Sequence, residues 1–203
     1  IENGFEVSEN MDDCDVLLGV KEVPVEALIP NKKYFFFSHT IKKQVYNRKL
    51  LQACIDKNIE LYDHETVVNE KNTRLIGFGR YAGIVGAYNG IRAFGLKFEI
   101  FSLPKAETLA NQDALISQLK KPFLPPIKIV LTGKGKVAFG AKEMLDGMKI
   151  KEVAVADYLS KTYTYPVYTM IDVQDYNMHK EDVVFDKNEF YSNPEHFISN
   201  FER

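Results

Sequence analysis

The 203 residues are 45% hydrophobic and 27% charged with a formal net charge of −2, enough for one large or two small folded domains. That balance leaves no electrostatic footprint for nucleic acid, and no run approaches the ~18 apolar residues of a membrane span, so neither partner is expected. Cys14 and Cys54 lack redox or metal-motif spacing and, with no export signal visible, are expected as buried thiols of a cytoplasmic protein.

The chain opens on Ile1 and closes on polar, aromatic-spotted sequence without a capping element, so it is expected to be an internal piece of a longer protein. Residues 1–13 are polar and acidic and read as a short strand and loop. Two apolar runs follow, Val16–Val20 and Tyr34–Phe37, of strand length and too apolar to alternate with solvent. They predict a parallel sheet covered on both faces. Lys21 and Glu22 follow the first run; Ser38, His39, Thr40 and Lys42 follow the second. Ligands of open α/β sheets bind at the carboxyl ends of strands, so Lys21, Glu22 and His39 are candidates for proton transfer. Taken singly, Lys21 and Glu22 read better as solvated loop charges and His39 as a strand cap; together at the same end of two buried strands they read as well as a site.

Pro24 and Pro30 bracket a short turn. Over 42–58, Val45, Leu50, Leu51, Cys54 and Ile55 recur at helical spacing and predict an amphipathic helix. A third strand, 59–62, ends in Asp63-His64-Glu65, again placing ionisable groups at a carboxyl end. A polar turn at 69–72 and a short strand at 74–78 are expected next. In 79–95, Gly83, Gly86 and Gly90 lie three or four apart and form one smooth stripe on a helix. Each glycine costs a helix about 1 kcal/mol, which close approach to another element offsets. This helix is read as the join between two domains, 1–85 and 86–203. A helix over 106–121 and a proline-stiffened lead to the next strand follow.

The run 127–131 is a β-branched strand entering Thr132-Gly133-Lys134-Gly135-Lys136-Val137-Ala138, followed by a helix pattern through Met148 and a short strand at 152–156. This is the context of a dinucleotide-binding turn. Gly133 permits the turn, Gly135 lets backbone approach a pyrophosphate, and Ala138 is the small third position. Asp157, about 20 residues past the turn, is placed to accept from a ribose hydroxyl or else to cap a helix. Beyond Ser160 the polar and aromatic pattern suggests an insertion or lid, with strand potential at 167–171. His179 and His196 look like surface histidines, and no group has metal-ligand spacing.

In these segments the chain resembles the saccharopine dehydrogenase (L-lysine-forming) and lysine–ketoglutarate reductase family. More distantly it is similar to alanine dehydrogenase and the transhydrogenase nucleotide-binding subunit. The resemblance spans roughly 12–160 and rests on GVKEVP, FFFSHTIKKQ, YDHE, RLIGFGRYAGIVGA and GKGKVAFGA. It implies an α/β fold of two Rossmann-like domains with mainly parallel sheets, incomplete at both ends. A cleft between the domains would hold Lys21, His39 and the Gly133 turn. It further implies an NAD(P)-dependent oxidoreductase interconverting lysine plus 2-oxoglutarate and saccharopine. Lys21 and His39 would be the acid–base pair, and Glu22, Lys42, Glu65 and Arg74 would line the substrate pocket. Gly133, Gly135, Lys136, Val137, Ala138 and Asp157 would meet the cofactor, NAD on the strength of Asp157, with NADP as the alternative. An arginine-bearing first strand and the later nucleotide-domain strands of that family are absent here. The partner expected is a small amino-acid substrate, in a protein free to form oligomers. The alternatives are an alanine dehydrogenase-like enzyme, disfavoured because a small apolar side chain gives Glu22 and Glu65 nothing to pair with, and a non-catalytic nucleotide-binding module.

Overall fold

The computed structural model describes Gly4 and residues 7–201. Of the strand expected within 1–13, residues 1–3, 5 and 6 lie outside the described residues, and 7–13 hold no strand. The chain divides into two compact units, Ile1–Gly77 and Phe78–Arg203.

In the first unit, strands β1 (Val16–Lys21), β2 (Lys33–Phe37) and β3 (Glu60–Asp63) form a parallel sheet in the order β1-β2-β3. A 3₁₀ turn at Val25–Ala27 and helix α1 (Arg48–Asp56) make the two crossovers. One sheet face packs Tyr34 and Phe36 against Leu28, Leu50, Ala53 and Cys54. The Tyr34 hydroxyl stays satisfied there by accepting the Ile29 N–H at 2.9 Å.

The sheet is not covered on both faces, as its apolar runs had suggested. Leu18 is 79% exposed, and Val16 and Val20 are also exposed. Leu18, Phe35 and Tyr62 stand in register across this open face, with the Phe35 and Tyr62 rings stacked at 4.5 Å. Among the described residues β1 and β3 are both edges, and the helical crossover packs on the opposite face.

The helix expected over 42–58 is shorter. Thr40–Lys42 and Val45–Asn47 are separate 3₁₀ turns, parted by left-handed Lys43 (φ 54°). Val45 is therefore solvent-exposed, and α1 buries Leu50, Ala53 and Cys54 while Leu51 and Ile55 face outward. Burial pushes the Cys54 thiol pKa up; Cys14 is an exposed thiol, contrary to expectation. Residues 74–78 form no strand. Arg74 makes one bridge to Val68, closing the Asn69–Asn72 turn.

The second unit comprises α2 (Gly79–Lys97), α3 (Gln112–Leu119), β4 (Lys128–Thr132), α4 (Lys136–Gly147), β5 (Lys151–Glu152), α5 (Val155–Ser160), β6 (Val167–Ile171), α6 (Val173–Tyr176), β7 (Asn177–His179), α7 (Lys187–Ser192) and β8 (Phe197–Ser199). Its parallel sheet runs β4-β6-β5, and β7 pairs antiparallel with β8. Ile84, Tyr88, Leu115, Leu119, Met144 and Tyr168 are among its core.

Three expectations change here. The helix expected over 106–121 begins at Gln112, where Asn111 accepts the Ala114 N–H at 3.0 Å as N-cap. The strand expected over 152–156 ends at Glu152, and the chain turns into α5. The strand expected at 167–171 is present as β6, and because β6 is the middle strand of its sheet, residues 167–171 belong to that sheet and not to an insertion or lid. Polar composition hid that central place: the buried Thr169 hydroxyl donates to the Val153 carbonyl at 2.9 Å. The Tyr168 hydroxyl donates to Asp146 at 2.6 Å and accepts from Lys142 at 2.7 Å. Burial, then the Asp146 carboxylate, push its pKa up to about 12.

Of the striped glycines, Gly83 alone meets α4. A Cβ there would lie 1.9 Å from the Val137 carbonyl oxygen, and one on Gly140 would lie 2.0 Å from that of Arg80. Gly86 and Gly90 meet no neighbour and, with Gly83, line an apolar cavity of about 670 Å³ together with Phe94, Ile129, Leu131 and Leu145.

Candidate functional site

The carboxyl ends of β2 and β3 are spliced by Asp63, which is buried. Its carboxylate accepts the Ser38 hydroxyl at 2.5 Å, the Ser38 N–H at 3.4 Å and the Glu65 N–H at 2.8 Å. The Ser38 oxygen in turn accepts the Thr40 N–H at 3.1 Å. This bracing holds His39 in the left-handed region (φ 58°), where a non-glycine residue is uncommon and often functional.

Around this brace the structure gathers four of the predicted residues. The Glu65 side chain is 4% exposed, and its carboxylate receives His39 Nδ1 at 2.9 Å, Lys42 Nζ at 3.4 Å and the Arg74 guanidinium. A carboxylate can only accept, so Nδ1 carries the proton and Nε2 is left as the open proton site. The 3.2 Å approach of Lys42 Nζ to Nδ1 is then a charge contact rather than a hydrogen bond. Burial raises the Glu65 pKa, but hydrogen bonds from His39, Arg74 and Lys42 outweigh it and hold the group below its usual range. Lys42 and Arg74 are about half exposed. Lys42 and Arg74 are two cations against the one Glu65 carboxylate, which leaves surplus positive charge facing solvent.

Lys21 and Glu22 are exposed at the end of β1. Register slips between Leu18 and Lys21: Leu18 pairs with Phe35 and Lys21 with Phe37, three steps against two. This bulge puts Lys21 on the sheet face that carries Phe37, whose ring lies 6.4 Å from that of His39.

In the second unit the glycine turn opens α4 directly. Gly133 has φ 88° and donates its N–H to the Ile171 carbonyl at 2.7 Å; Gly135 is the N-cap. A Cβ built on either glycine meets nothing within 4 Å, so the backbone there is open to approach. Lys136 and Val137 are exposed on the first turn and Ala138 is buried. Asp157 does not end a strand beside this turn. It lies in the first turn of α5, paired with Lys161 at 2.9 Å. The strand beside β4 is β6, and the acid that closes it is Asp172. Asp172 caps α6 and binds Lys187 at 2.8 Å, and Lys187 followed by the Val173 N–H holds its pKa below the usual range.

No family model matches the chain. Among curated proteins it is 31% identical to the alpha-aminoadipic semialdehyde synthase of Arabidopsis thaliana over 96% of this chain and 21% of that protein. It is 29% identical to the mitochondrial enzyme of that name from Rattus norvegicus, over 96% of this chain and 23% of that protein. It is 27% identical to the Candida glabrata saccharopine dehydrogenase [NAD(+), L-lysine-forming], over 68% of this chain and 40% of that protein. The chain is a homologue of both groups. It spans about a fifth of the synthases and two-fifths of that dehydrogenase. A solved L-alanine dehydrogenase aligns over 82% of this chain and 46% of its own, at 14% identity and a TM-score of 0.40.

The saccharopine dehydrogenase homologue carries NAD(+) in its name. No helix among the described residues is long and apolar enough to cross a membrane. The rat synthase is named as mitochondrial, so the cytoplasm is not the only setting of such homologues.

Several contacts escape sequence reading. His179 is buried and pairs through Nε2 with Glu189 at 3.4 Å, and His196 Nδ1 reaches the same oxygen at 3.1 Å. These three converge as a metal-binding group would, although 10 and 7 residues separate them in sequence. His179 Nδ1, however, accepts the Glu181 N–H at 3.1 Å, so Nε2 carries the proton and has no lone pair for a metal. The arrangement is a carboxylate held between two imidazole N–H groups.

Proposed function

We propose that this chain is part of an NAD(P)-dependent oxidoreductase of the saccharopine dehydrogenase type, joining lysine and 2-oxoglutarate reductively and cleaving saccharopine in reverse. The observation that carries the reading is His39, held with Nδ1–H on buried Glu65 and Nε2 open, beside two half-exposed cations. Carbon–nitrogen bond formation requires a proton to leave the amine and another to reach the departing hydroxyl. His39 Nε2 takes the first and returns it, while Glu65 keeps the ring in one tautomer. Lys21 is the second acid–base group, and Glu22 faces the substrate amine. Lys42 and Arg74 attract substrate carboxylates, a task for which the surplus positive charge suits them. This use of Glu65 differs from direct substrate contact, since its oxygens are already engaged.

The Gly133–Ala138 turn fits a dinucleotide. Gly133 and Gly135 leave open space where side chains would stand, and the α4 N-terminus suits a pyrophosphate. The bound nicotinamide would supply or accept the hydride. Asp172 takes over the ribose role first assigned to Asp157, because it closes the strand next to the turn. An acid there favours NAD over NADP.

Two experiments test these assignments in the full-length protein. His39→Ala should lower turnover by about 10²–10⁴-fold while NADH binding persists. Turnover at the wild-type rate would remove His39 from the mechanism. Asp172→Asn keeps a cap acceptor for Val173 but loses the charge. Calorimetric titration should show its preference for NADH over NADPH reduced by about tenfold, or 1.4 kcal/mol. An unchanged ratio would show that Asp172 does not choose the cofactor.

A further inference from the structure

The bulge that carries Lys21 is held from the far side of the sheet. Counting along β1 without it, Lys21 would share the face of Leu17, which is packed with Tyr34 and Phe36 against α1. One extra residue turns Lys21 to the opposite face, in register with Phe37. His64 follows β3 on that same face: its ring meets Phe37 edge-on at 5.1 Å, and its N–H donates to the Phe36 carbonyl at 3.1 Å. The imidazole then reaches past β2 to β1, with Nε2 at 3.2 Å from the Gly19 carbonyl oxygen, inside the bulge. A carbonyl only accepts, so Nε2 bears the proton and Nδ1 is a bare acceptor.

That Nδ1 is buried and has no hydrogen-bond partner among the described residues. An unpartnered buried polar atom is unfavourable, and a phenylalanine would fill similar space without one. What histidine alone adds at this place is the Nε2–H donor aimed at Gly19. Among the described residues β1 is an edge strand with β2 as its one partner in the sheet, so little else there fixes the bulge.

We propose that His64 is a positioning residue for Lys21: its hydrogen bond to the Gly19 carbonyl locks the bulge that turns Lys21 onto the Phe37–His39 face. This rests on Lys21 being an acid–base group of the reaction above. The histidine next to the catalytic cluster thus serves the other half of the pair, Glu65 orienting His39 and His64 orienting Lys21.

The test is a cycle of variants in the full-length enzyme. His64→Phe retains a ring against Phe37 without the donor and should lower kcat about 10–100-fold, with KM and NADH affinity little changed. His64→Gln, whose amide nitrogen can reach Gly19, should recover most of the loss. Combining His64→Phe with Lys21→Ala should cost no more than Lys21→Ala alone, because His64 acts through Lys21. Losses that multiply, or full turnover in His64→Phe, would overturn the proposal while leaving Lys21 catalytic. Wild-type turnover in Lys21→Ala would instead overturn the acid–base assignment itself. Should His64→Phe fail to fold, nitrogen-15 NMR of the wild-type imidazole decides: the Nε2–H tautomer is expected, and the Nδ1–H tautomer would rule the contact out.

Discussion

Gly140→Ala should destabilise the second unit by about 3 kcal/mol, at the upper end of what an inserted methyl costs in a packed interior. The new Cβ would stand 2.0 Å from the Arg80 carbonyl oxygen and 2.8 Å from its carbon. Those are backbone atoms within α2, so no side-chain rotation relieves the overlap, and the helices must part. Parting them pulls Ile84 and Tyr88 away from Met144 and Leu145, members of one core. Gly83→Ala should behave alike, since its Cβ would meet the Val137 carbonyl oxygen at 1.9 Å. Gly86→Ala is the control. It lies in the same helix with nothing within 4 Å, and alanine there should stabilise by roughly 0.5–1 kcal/mol through helix propensity. Urea unfolding of the three variants measures this. Equal effects at Gly86 and Gly140 would mean that helix propensity, not the α2–α4 approach, governs the stripe.

Glu65→Gln should be the most damaging single change to the candidate site. The glutamine carbonyl can still accept from Arg74, but its NH₂ now competes for His39 Nδ1 as a donor, favouring the opposite tautomer with Nε2 protonated. Turnover in the full-length enzyme should fall by about 10²-fold or more, through His39 rather than through lost substrate contact. Stability should fall by about 2 kcal/mol rather than more, because Arg74 and Lys42 are half exposed and water can take over their hydration.

The pH dependence has a definite sign. The folded pKa of Glu65 lies below the ordinary value of 4.5, so its stabilisation is present above that value and is lost as pH falls through the lowered one. Wild type and Glu65→Gln should therefore differ at neutral pH and converge in acid. Denaturant midpoints between neutral pH and about pH 3 would show this; curves that stay parallel would place Glu65 outside the ion cluster.

Local sequence carried the elements whose reasons are local. Helical spacing announced α2 and α4, apolar runs announced β2 and β4, and two glycines after a β-branched run announced a turn opening a helix. The polar groups after β2 and β3 were legible as a candidate site because strand ends are visible in one dimension. What could not be read was decided by pairing between distant segments. Strand order β4-β6-β5 put Asp172, not Asp157, beside the glycine turn, and no spacing rule expresses which strand will be a neighbour. The strand potential of β6 was legible but its central place was not, because Tyr168 and Thr169 look like surface residues until Asp146, Lys142 and Val153 satisfy them. Glu65 became a hub only when the Arg74 loop folded back upon it. The face presented by Lys21 depends on one residue of bulge, a choice made by cross-strand register and by a histidine 43 positions away, not by the residues of β1.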